Sequence, residues 1–107
     1  MTTFDEREKA FEHQYEHDME LQFKARARKN KMLGLWAAGL MGKTGAEAET
    51  YAREIVMADF EKPGDHDVFH KIRGDFDAAG VQQSDHQIRR TMDELMSRAI
   101  EQVQSET

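Results

Sequence analysis

The chain has 107 residues, 38% of them apolar and 34% charged, with a formal net charge of −6. That supports one domain with a modest core, provided most of the chain contributes to it. The absence of Cys excludes disulfide and thiolate chemistry and fits a reducing compartment. No run is long enough to span a bilayer, and the opening MTTFDEREK is acidic and lacks the apolar core of a secretory signal, so a cytosolic protein is expected.

Charge is distributed in blocks. Residues 1–20 carry seven acids against Arg7 and Lys9, whereas residues 24–31 carry Lys24, Arg26, Arg28, Lys29 and Lys31 with no acid. Strand-like alternation is absent, and the apolar residues recur with helical period between the Gly and Pro positions.

Thr3 and Glu6 have the spacing of a capping box, with further acids suited to the N-terminal end of a helix. Through residue 18 the apolar positions are sparse, and Phe4, Phe11 and Tyr15 form a single narrow stripe. A helix with so little to bury is marginal alone. Residues 1–18 therefore read as an acidic arm, frayed when free and helical when a partner covers the stripe. From Met19 the pattern thickens: Met19, Phe23, Ala27, Leu33, Ala37 and Leu40 sit near one face, and the last two turns are apolar almost all round. Gly34 and Gly39 would allow close backbone approach.

A second helix is expected over 45–61, with Ala48, Tyr51, Ala52, Ile55, Val56 and Phe60 inward. Pro63-Gly64 stops it. Asp65 can cap a third helix over about 66–79 with Val68, Phe69, Ile72 and Phe76 inward, ended by Gly80. Ser84 and Gln87 form a capping box for a fourth, through about 103, burying Ile88, Met92, Leu95, Met96, Ala99, Ile100 and Val103. Short connections make the neighbours antiparallel. The expected fold is all-α: a four-helix bundle over 19–107, with residues 1–18 as a flexible, potentially helical acidic arm.

Three patterns resemble chemical sites. Ala37 to Thr44 (AAGLMGKT) approximates a phosphate loop, but a phosphate cradle follows a buried strand, and here a helix precedes it. Helix ends account for every residue: Gly42 as C′, Lys43 beside the C-terminal dipole, Thr44 as the next N-cap with Glu47 at N3. The cationic block surrounds its helix without aromatic interleaving, which argues for a solvated helix partly neutralised by acids rather than a nucleic-acid face. His13/His17 and His66/His70 are i,i+4 pairs without a dedicated third ligand, too little for a metal site. No catalytic nucleophile and base can be identified, and neither an enzyme nor a cofactor is expected.

The stretches TTFDEREKAFE, ELQFKARARKNKMLGLWAAGLMGKTG and YAREIVMADFEKPGDHDVFHKI, with the final helix, resemble the zeta subunit of alphaproteobacterial F-type ATP synthases, a family of natural ATPase inhibitors. The resemblance spans essentially the whole chain. It implies a four-helix bundle whose N-terminal region enters the interface of the catalytic alpha and beta subunits near gamma and blocks ATP hydrolysis. It implies a location peripheral to the inner membrane through the synthase, with no direct insertion. On this chain the inhibitory region covers residues 1–18, including Phe4, Asp5, Arg7, Phe11 and Tyr15 as partner-binding residues. An unburied aromatic stripe on a marginal helix suits folding on binding. The alternative is a helical module that binds ADP or ATP weakly through Arg28, Lys31, Lys43 and Thr44; a nucleic-acid-binding bundle is a weaker one.

Overall fold

The computed structural model describes the backbone of residues 3–106 and the side chains of residues 18–106. It contains four helices, α1 (Thr3–Leu40), α2 (Gly45–Glu61), α3 (Asp65–Ala79) and α4 (Asp85–Glu106), and no strand among the described residues. The first runs without interruption from the expected arm into the bundle. The side chains of Phe4, Asp5, Arg7, Phe11, His13, Tyr15 and His17, and the Thr3–Glu6 cap, lie outside the described residues.

α1 is the central element. It packs chiefly against α2 and α4, and α3 closes the bundle with smaller contacts to α2 and α4. Both large contacts are antiparallel. Arg26 of α1 reaches Asp59 late in α2, whereas Gly34 lies against Ala52 earlier in it. Ala25 clusters with Ala99 and Val103, whereas Leu33 joins Ile88, Met92 and Leu95. Trp36 meets Phe76 edge-on, with ring centroids 5.6 Å apart. All four expected core residues of α3 (Val68, Phe69, Ile72, Phe76) are buried.

The helix ends follow from local chemistry. Gly42 adopts φ 79°, the left-handed region that Gly enters without steric cost. The Lys43 amide donates to the Ala38 carbonyl at 2.9 Å and the Gly42 amide to Gly39 at 3.1 Å, a Schellman closure of α1. Gly80 closes α3 in the same way, its φ at 72° and the Val81 amide donating to Phe76 at 2.9 Å. Ser84 and Gln87 form the expected reciprocal box: the Gln87 amide donates to Ser84 Oγ at 3.0 Å, and the Ser84 amide to Gln87 Oε1 at 2.8 Å.

Two expected caps differ. Thr44 holds the N-cap position of α2 with extended backbone, but its hydroxyl makes no capping bond; the Glu47 amide donates instead to the Thr44 carbonyl at 3.2 Å. Asp65 is already inside α3, whose N-cap is Gly64, and its carboxylate takes Lys29 rather than an amide of its own helix.

Several expected inward residues also differ. Met19, Phe23, Leu40, Phe60 and Ile100 are exposed. Gly39 faces open space, so only Gly34 of the pair serves a close approach. For Met19 and Phe23 the reason lies in how α1 is rotated. Its buried side at this level is Ala25, Lys29 and Asn30, not Met19, Phe23 and Ala27. Polar contacts to the α2–α3 turn fix that rotation and leave part of the apolar stripe uncovered.

Candidate interaction surface

Arg26, Lys29 and Asn30 are three residues of the cationic block and its neighbour, all within about one turn of α1. They meet Asp59, Gly64 and Asp65 around the α2–α3 turn. Arg26 grips Asp59 with both ends of its guanidinium, Nε to Oδ2 at 2.6 Å and Nη2 to Oδ1 at 2.7 Å. Asn30 Nδ2 donates to Asp59 Oδ2 at 2.8 Å, and the Gly64 amide to Oδ1 at 3.2 Å. Lys29, only 2% exposed, donates through Nζ to Asp65 Oδ1 at 2.8 Å. The Asn30 Oδ1 acceptor is buried with no partner among the described residues.

Burial pushes the Asp59 carboxyl up, but the Arg26 guanidinium, the Gly64 amide and Asn30 outweigh it and hold it below its ordinary value. The hydrogen bond to Asp59 raises Arg26 in turn, against its own desolvation. The pair is therefore ionised at neutral pH, with its charge largely satisfied inside the fold.

This clamp floors a groove between α1 and α2. Phe23 and Ala27 form one wall, and Val56, Phe60 and Pro63 the other, with Arg26, Asn30 and Asp59 beneath. Phe23 is 64% exposed and Phe60 68%. Both rings line this one groove, so their exposed apolar surface is gathered rather than scattered. Periodicity alone assigned both rings to the core. The nearby acids Asp59 and Asp65, matched to the cations of α1, were the available sign that another face of α1 would be buried.

The residues considered for anion binding are not gathered into one site. Arg28 is paired with Glu106, its Nη2 donating to Oε2 at 2.9 Å, and lies 3.5 Å from Gln102 Oε1. That hydrogen bond raises Arg28 and lowers Glu106. Lys31 is exposed on α1. Lys43 lies beyond the end of the helix, in the α1–α2 turn, in a shallow groove with Tyr51, Glu54, Lys71 and Asp75. In that groove Tyr51 donates to Asp75 at 2.7 Å and Lys71 to the same carboxylate at 3.2 Å, so its acids and cations largely satisfy one another. The GKTG segment is the turn between α1 and α2, with Thr44 at its far end. His66 and His70 stack edge-on at 4.3 Å, and no group of three metal-ligating side chains occurs among the described residues.

The fold and this surface define a small all-helical protein, built around one long helix that carries an aromatic groove where it enters the bundle. A family model for the ATPase inhibitor subunit zeta matches residues 1–102, and the chain belongs to that family. A protein of known solution NMR structure is similar at 44% identity over 81% of this chain and 99% of its own, with a TM-score of 0.70. No curated protein matches the chain. No helix among the described residues is long and apolar enough to cross a membrane.

Proposed function

We propose that the protein binds the catalytic head of an F-type ATP synthase and blocks ATP hydrolysis by inserting residues 1–18 at the interface of the alpha, beta and gamma subunits. The observation that carries this reading is the family match, which begins at residue 1 and so includes the arm. The continuity of α1 supports it, because a single helix from Thr3 to Leu40 transmits the position of the bundle directly to the arm. The action is steric. A helix wedged between subunits prevents the interface from cycling, and no reaction occurs on the inhibitor. Phe4, Phe11 and Tyr15 supply apolar anchor area, and Arg7 and Asp5 set register by charge. Through the synthase the protein sits at the cytoplasmic side of the inner membrane.

Deletion of residues 1–18 tests the reading. ATPase assays on the cognate enzyme should show inhibition by the full chain and none by the truncated one. The truncated protein should keep its melting temperature, because the first described side chains of α1 that pack into the bundle are Leu21 and Ala25. Undiminished inhibition by the truncated protein would refute the mechanism. Amide shifts on ADP or ATP titration separate this reading from weak nucleotide binding, which requires changes around Arg28, Lys31, Lys43 and Thr44.

A further inference from the structure

The aromatic groove between α1 and α2 has no role in the arm mechanism. We propose that it is a second docking site for the same catalytic head, seating one bulky apolar side chain of a head subunit between Phe23 and Phe60. The inference rests on the reading above for its partner, and on three observations for its site.

The first is chemistry. Beneath the rings, Arg26, Asn30 and Asp59 are bonded to one another, so the floor offers no net charge to an ion. The walls are Phe23, Ala27, Val56, Phe60 and Pro63. The groove is fitted to an apolar side chain and poorly to a phosphate or a carboxylate.

The second is position. Phe23 lies five residues beyond the arm on an unbroken helix, an axial distance of roughly 7.5 Å at the helical rise. A head subunit that holds the arm to residue 18 therefore already reaches the mouth of the groove.

The third is continuity. Phe11, Tyr15, Met19 and Phe23 occupy successive four-residue positions of one unbroken helix, the spacing of neighbouring positions on a helix surface. The series ends at the groove, where Met19 is 53% and Phe23 64% exposed. The groove would act mainly on residence time, holding the bundle against the head and favouring reinsertion of the arm.

Full-length Phe60→Ser and Phe23→Ser variants test this against wild type and Leu40→Ser, a control at the other end of α1 that is 42% exposed. Melting temperatures of all four should agree closely, which removes misfolding as an explanation. Phe60→Ser and Phe23→Ser should weaken inhibition of the cognate ATPase about tenfold, with faster release, as expected for loss of an interface anchor. Leu40→Ser should inhibit like wild type. Benzoylphenylalanine in place of Phe60 should photo-crosslink to an alpha, beta or gamma subunit. Wild-type potency and release rate in Phe60→Ser would overturn the groove proposal while leaving the arm mechanism standing. Absence of inhibition by wild type would instead overturn both. A concentration-dependent dimer of wild type, lost in Phe60→Ser with inhibition intact, would assign the groove to a second copy and overturn the proposal.

Discussion

Asp59 is the acid on which the α2–α3 turn depends. It is 7% exposed and accepts hydrogen bonds from Arg26, Asn30 and the Gly64 amide. Replacing it with Asn removes the charge and leaves Arg26 without its counter-ion. Breaking a fully buried pair costs several kcal/mol, but the Arg26 side chain is 37% exposed and can regain water, so a loss of about 2 kcal/mol is expected for Asp59→Asn at neutral pH. The pH dependence has a definite sign. Because the folded carboxyl is held below its ordinary value of 3.8, the unfolded chain takes up the proton first. The stabilisation is complete above that value and is lost as pH falls through the lower folded one. Urea titrations from pH 7 to pH 2 should show wild type losing its advantage over Asp59→Asn in that acid range. A constant difference down to pH 2 would contradict the role assigned to the carboxylate.

Two glycines of α1 illustrate what a helix demands beyond propensity. A Cβ at Gly34 would lie 2.5 Å from Ala52 Cα and 3.1 Å from its Cβ, a backbone contact that no rotamer can relieve. Gly34→Ala gains helix propensity and loses more in separating α1 from α2, so a net loss of about 2 kcal/mol is expected. Gly39→Ala meets open space, and only the propensity gain remains, roughly 0.5–1 kcal/mol of added stability. Thermal melts of the two variants should therefore move in opposite directions. The same scale separates legible features from hidden ones. The Ser84–Gln87 box and the glycines ending α1 and α3 could be read from the chain, because each depends on residues within a few positions of one another. The idle Thr44 hydroxyl and the use of Asp65 by Lys29 could not, because a distant partner competes for the group or the local geometry turns it away.

Across the molecule, α1 holds the bundle together, since α2 and α4 both rest on it. Leu33 is fully buried where the contributions of α1, α2, α3 and α4 meet in one cluster. Leu33→Ala should cost roughly 3 kcal/mol, a large part of the stability of a domain this size, and denaturant unfolding should show the loss in one cooperative step. Separate transitions for different helices would show that α1 does not couple them.

The sequence by itself determined four helices, their ends to within a few residues, the core of α3, most of the core of α4, and, through long matched stretches, the family. Periodicity and capping are local, so they survive without knowledge of neighbours. Only the tertiary structure decided which side of α1 is buried between Met19 and Asn30. Apolar spacing favoured Met19, Phe23 and Ala27, but burying Lys29 and Asn30 beside Arg26 became favourable once Asp59 and Asp65 were placed opposite them. That choice turns Phe23 outward beside Phe60. It leaves an aromatic groove where periodicity alone had placed core.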